Sequence, residues 1–174
     1  LQGGYDITNL GLLAFGADLT TLPSLARKAV RIVHAHGADK LETLDEHMPV
    51  IGYAAGFQAI LRTMLASVPS HEEVIDGVRR AVPMIPEIAL REVLANALIH
   101  QDLTTLGAGP IVEIYADRVE VTNPGEPLVE PDRLLDAPPR SRNEALASLM
   151  RRLGICEERG SGIDKVVASI ERLA

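Results

Sequence analysis

Three polar residues stand four apart in the stretch PEIALREVLANALIH: Glu92, Asn96 and His100. On a helix such steps differ by about 40°, so the three side chains form one narrow stripe. Ile88, Val93 and Ile99 flank it. A carboxylate, an amide and an imidazole set among aliphatic side chains need partners, because unpaired burial is costly. Either protein groups or a ligand supply them. The chemistry open to these groups is specific. An Asn oxygen can ligate Mg²⁺, which takes oxygen donors and keeps some of its waters. A Glu one turn earlier can orient or deprotonate an attacking water. His100, near the helix end, reads as a cap or a dipole partner.

Two further motifs follow in the chain. Asn123-Pro124-Gly125 is a turn whose short amide side chain and open backbone can approach a flat base edge. Gly160-Ser161-Gly162 opens a helix and can present N–H groups to a phosphate. Each has a plain structural reading beside the chemical one. Glu92 and Asn96 can bond neighbouring strands, Asn-Pro-Gly can be only a turn, and Gly-Ser-Gly can be only a helix cap. The ordered set carries the information, not any single member.

The elements that must position these residues are legible from spacing. Pro86 suits the first position of a helix running to about His100, with acidic Glu87 in its first turn. Residues 111–115 and 118–122 read as a hairpin turning at Ala116-Asp117, and Asn123-Pro124-Gly125 ends its second strand. Residues 126–142 hold four prolines and little periodicity, which marks a long irregular loop. Residues 144–153 read as a helix ending at Gly154, and 163–173 as the last helix. Earlier in the chain, the period-two pattern in 25–36 predicts a strand and polar 37–49 a loop. Residues 51–68 read as a helix, packed near a junction with a preceding domain, and 74–82 as one strand. The expected fold is α+β, a two-layer sandwich with helices on one face of a mixed or mostly antiparallel sheet.

Composition bounds the rest. The chain has 174 residues, 47% hydrophobic and 3% aromatic, enough for an aliphatic core. Its one cysteine, Cys156, excludes an internal disulfide, and with no secretion signal a cytoplasmic protein is expected. The opening Leu1-Gln2-Gly3-Gly4 is expected to be a cut within a longer protein. Arg62 lies in the middle of the apolar run 50–68, which argues against a membrane span. Residues 1–139 hold 10 basic and 19 acidic side chains, whereas 140–174 hold 7 and 5. An acidic body does not suit a phosphate backbone, which is bound by Lys and Arg. The arginines at 140, 142, 151, 152 and 159 suit either a phosphorylated small molecule or a solvated helix face.

The order Glu-x-x-x-Asn on a helix, Asn-x-Gly after a strand, a loop, then Gly-x-Gly opening a helix is similar to GHKL-type ATP-binding domains, such as those of gyrase and histidine kinases. The segments ALREVLANALIHQDL, VEVTNPGEP and RLGICEERGSGIDKV more closely resemble the divergent RecG-like C-terminal ATP-binding domain of transcriptional regulators. There it follows a Schlafen/AlbA-type domain, and TNLGLLAFG resembles the end of one. The resemblance implies a Bergerat-like domain over residues 50–174, with 1–49 as the end and connection of the preceding α/β domain. It implies ATP and Mg²⁺ as cofactors, with Glu92 as general base and Asn96 as the metal ligand. Asn123 and Gly125 then read the adenine, and Gly160, Ser161 and Gly162 hold the phosphates. The loop 126–142 stands in the place of the ATP lid. It also implies a homodimer, with DNA contacted by other segments.

Two positions depart from that pattern. Asn123 replaces an Asp, so it can accept the adenine amino proton but without charge. Pro127 replaces a glycine and has no N–H. At most a weak ATPase is expected, acting as a nucleotide-binding regulatory module. The alternative is a degenerate scaffold or dimerisation module that binds no nucleotide. The chain contains no GxxxxGK[ST], so a P-loop helicase is excluded.

Overall fold

Side chains of residues 31–33 and Ile111–Ile114 alternate between a buried and a more open face, which builds a half-covered sheet. The computed structural model describes residues 7–35, 37–38, 43–130, 133, 140–156 and 162–171. Their elements run in the order α1 (Asn9–Phe15), β1 (Arg31–Ala35), β2 (Thr43–His47), α2 (Tyr53–Ser67), β3 (Ser70–Ile75), β4 (Val78–Pro83), α3 (Glu87–His100), β5 (Ile111–Ile114), β6 (Val119–Thr122), α4 (Glu144–Arg152) and α5 (Gly162–Glu171).

The main sheet has the strand order β2-β1-β5-β6. β1 and β5 run parallel, with Ile32 beside Val112, and both outer pairs are antiparallel. The sheet is therefore mixed, and the α+β class expected from the sequence holds. β1 and β2 come from before residue 50, yet they share this sheet with β5 and β6.

One sheet face carries Ile32, Val112 and Ile114, all fully buried in a core with Phe57, Leu61 and Met64 of α2 and Leu90, Leu94 and Leu98 of α3. Removing these aliphatic side chains from water is the main stabilising term, at about 1.5–3 kcal/mol for each large one. The opposite face carries Arg31, Val33, Ile111 and Glu113, which line an open concavity of about 200 Å³. α1 packs on α2, and α5 on α3. Among the described residues no helix is long and apolar enough to cross a membrane.

A buried polar chain ties the early segment to the end of α3. The Tyr53 hydroxyl donates to the Lys28 carbonyl at 2.6 Å and accepts from Gln101 Nε2 at 2.9 Å. The Lys28 ammonium donates to the carbonyls of Thr105, Ala108 and Asp102 at 2.7, 3.0 and 3.3 Å. Burial pushes the Tyr53 hydroxyl well above its ordinary range.

Four local expectations need correction. The polar stretch 37–49 includes the edge strand β2, which is exposed throughout and so shows no alternation of burial. It is held by β1 and by a two-pronged pair from Arg31 to Glu46 at 2.9 and 3.0 Å. The single strand expected over 74–82 is a hairpin, β3 and β4, turning at Asp76-Gly77 with φ of 51° and 77°. That is the left-handed pair a tight two-residue turn requires. Pro86 caps α3 from outside, with Glu87 as the first helical residue. The strand expected over 25–36 begins only at Arg31, because Ala26–Lys28 form a short 3₁₀ turn.

Candidate functional site

α3 forms the spine of the site. Its sequence favours a helix through Ala89, Leu90, Leu94, Ala95, Ala97 and Leu98, all of which are buried. Glu92 shares this burial, with 2% exposure, while Asn96 and His100 are half-buried. Arg91 Nη1 lies 3.2 Å from Glu92 Oε1, and Arg91 Nη2 donates to the Gly154 carbonyl just after α4. The buried carboxylate thus has a cation beside it, which offsets its desolvation.

The N-terminus of α5 meets the stripe on α3. A Cβ on Gly162 would stand 2.8 Å from Glu92 Oε2 and 3.7 Å from Asn96 Nδ2. Only glycine lets the backbone approach so closely. The structure therefore brings Glu92, Asn96 and Gly162 together across 70 positions of sequence. Gly160 and Ser161 lie outside the described residues, as do 131–132 and 134–139 of the loop expected to be a lid.

The Asn123-Pro124-Gly125 turn sits at the other end of α3. The Asp102 N–H donates to the Pro124 carbonyl at 2.6 Å. Gly125 has φ of +110°, and a Cβ there would stand 2.8 Å from Asp102 Cβ and 3.6 Å from Arg142 Cζ. Arg142 Nη2 donates to the Glu126 carbonyl at 2.5 Å, and its Nη1 lies 3.7 Å from Asp102 Oδ2. Asn143 Nδ2 donates to the carbonyls of Ile99 and Gln101 at 3.0 and 2.7 Å, which closes the end of α3. Asn123 is half-buried, and Gly125 is exposed.

Electrostatics at this end follow from the same contacts. Burial first, and then Arg142, hold His100 below its ordinary imidazole value. Hydrogen bonds from the Thr104 hydroxyl and N–H hold the Asp102 carboxyl below its ordinary value, with Arg142 and Lys28 adding to the effect. Asn96 lies four residues, roughly 6 Å of helical rise, before His100 at the end of α3, and Asp102 follows just beyond it. α3 thus spaces an acid–amide–glycine cluster from a turn with an amide at its head.

The sequence reading missed Asp102, Asn143 and Lys28, and it gave Arg142 no specific place. Asp102 carried a signal: Asp-x-Thr is a local turn pattern, here with Oδ1 accepting from both Thr104 N and Thr104 Oγ1. Nothing in the spacing connects Lys28 to carbonyls more than 70 positions away.

Residues 107–174 match the family model described as "Putative ATP-dependent DNA helicase recG C-terminal". The matched part contains Asn123, Gly125 and Gly162, and not Glu92 or Asn96. No curated protein matches the chain significantly. Among solved structures, the chain is similar to the DIP2311 protein from Corynebacterium diphtheriae, with a TM-score of 0.74 and 25% identity over 91% of this chain. The match covers 32% of that protein, so this chain spans about a third of its length. The family match supports an ATPase-like, nucleotide-binding domain over the C-terminal part of the chain.

Proposed function

We propose that this chain binds ATP with Mg²⁺ along α3 as a regulatory module, with at most slow hydrolysis. The observation that carries the reading is the meeting of Gly162 with Glu92 and Asn96. It joins two motifs that sequence order alone relates. Asn123 and Gly125, at the far end of the helix, take the base. Gly160 and Ser161 enter the phosphate site on sequence grounds alone.

Asn96 fits a Mg²⁺ ligand because its amide oxygen is a hard donor and because this ion is commonly held by one or two protein groups plus phosphates. Among the described residues no group of three or more His, Cys, Asp or Glu side chains converges. When bound, the ion would neutralise phosphate charge. Glu92 would accept a proton from the attacking water or hold that water in line. Arg91 keeps the carboxylate oriented by its contact with Oε1. A part in transcription, a homodimer and DNA contact through other segments of a longer protein extend the same reading.

A second reading is favoured by a specific observation: Glu92 is almost wholly buried and lies tight against Gly162. A closed cluster of that kind suits a scaffold that no longer admits a nucleotide. Thermal shift with a non-hydrolysable ATP analogue and Mg²⁺ separates the two. The nucleotide reading predicts stabilisation of the wild type and little or none for Asn96→Ala. No shift in either protein favours the scaffold.

A further inference from the structure

We propose that Arg142 is a positioning residue that sets the Asn123–Glu126 turn and thereby decides which nucleobase is accepted. This inference rests on the nucleotide reading above. It starts from what the turn lacks. Pro124 and Pro127 have no N–H, so the segment is short of the donors that would close it from within. Gly125, at φ of +110°, adds a conformation with no side chain to fix it. The turn's shape is imposed from outside instead. The Asp102 N–H holds the Pro124 carbonyl, and Arg142 Nη2 holds the Glu126 carbonyl, one on each side of Gly125.

The clasp is itself held from α3. Asn143 anchors the adjacent backbone to the carbonyls of Ile99 and Gln101. Asp102, paired with Arg142 at 3.7 Å, is fixed by Thr104 N and Oγ1 at 2.8 and 2.6 Å. Arg142 Nε is buried with no hydrogen-bond partner among the described residues. Leaving a buried donor unpaired is costly, so the guanidinium is not placed where its own bonding is best satisfied. It is placed where it reaches Glu126 and Asp102.

The consequence concerns Asn123. An Asp can only accept from a base edge, whereas an Asn amide offers an oxygen acceptor and two N–H donors. Asn123 can therefore pair with the amino group of adenine or with the carbonyl of guanine. The chemistry of the side chain does not choose between them. The position of the turn, set by Arg142, does.

The test compares dissociation constants for non-hydrolysable adenine and guanine triphosphates, with Mg²⁺, in the wild type and in Arg142→Ala. The wild type is expected to prefer one base by on the order of tenfold or more, the worth of one well-placed hydrogen bond to a charged or polar group. Arg142→Ala is expected to bring the ratio close to one. Should that variant fail to fold, Arg142→Lys keeps the charge but lacks the fork that reaches both Glu126 and Asp102, and the ratio should fall there too. A structural role alone would weaken both ligands equally and leave the ratio intact, which overturns the proposal. A wild type that binds both bases equally overturns it as well. A wild type that binds neither overturns the nucleotide reading itself.

Discussion

Glu92 Oε2 lies 2.8 Å from the point where a Cβ on Gly162 would stand. This close approach brings the middle of α3 against the first turn of α5, the helix that follows the Gly-Ser-Gly motif. A carboxylate near a helix N-terminus is also favoured by the partial positive charge there.

Gly162→Ala should therefore be costly. The added methyl group meets a buried carboxylate that is itself held by Arg91, so neither side gives way freely. The expected loss is about 1–3 kcal/mol, the usual range for overpacking a tight contact. Urea unfolding of Gly162→Ala against the wild type checks this. A midpoint unchanged from the wild type would mean that α5 does not dock on Glu92.

Lys28→Met should loosen the loop between α3 and β5. The substitution keeps most of the apolar stem but removes the donors to the carbonyls of Thr105, Ala108 and Asp102. Stability should fall by about 1–3 kcal/mol. Hydrogen exchange should quicken at the Asp102 amide, whose bond to the Pro124 carbonyl depends on that loop. Equal exchange in the two proteins would show that Lys28 is not what holds the loop.

His100 should make stability fall in mild acid. Its folded value lies below the ordinary 6.5, through burial and then Arg142. As pH drops, the unfolded chain takes up this proton before the folded chain does. The stability it contributes is thus complete above 6.5 and is lost as pH falls through the lowered folded value. The window of Asp102 lies separately, below its ordinary 3.8. Urea midpoints measured from above 6.5 to well below it should decline in the wild type and decline less in His100→Gln. Parallel profiles would rule His100 out as the source.

How much of this was legible in the sequence depends on burial. α3, the β5–β6 hairpin and α4 were readable because their apolar positions follow one helical or strand period against a single core. β2 was not, because an exposed edge strand of Thr, Leu, Asp, Glu and His carries no burial pattern. The β3–β4 hairpin was readable in principle from Asp76-Gly77, a strong tight-turn signal. It was overlooked because the flanking residues, exposed apart from the last two of β4, show no alternation. At the site, Glu92, Asn96, Asn123 and Gly125 stood out by residue type. The clasp of Asp102, Arg142 and Asn143 did not, since it depends on backbone carbonyls brought together only by the fold.

The central claim is that α3 carries a nucleotide site with Asn96 at its metal end. Isothermal titration of the protein with a non-hydrolysable ATP analogue, with and without Mg²⁺, tests it most directly. The account predicts saturable binding by the wild type, weakened on the order of tenfold or more when Mg²⁺ is removed or when Asn96 is changed to Ala. Absence of binding by the wild type, or binding indifferent to both Mg²⁺ and Asn96, would contradict it and leave Glu92, Asn96 and Gly162 as a packing cluster.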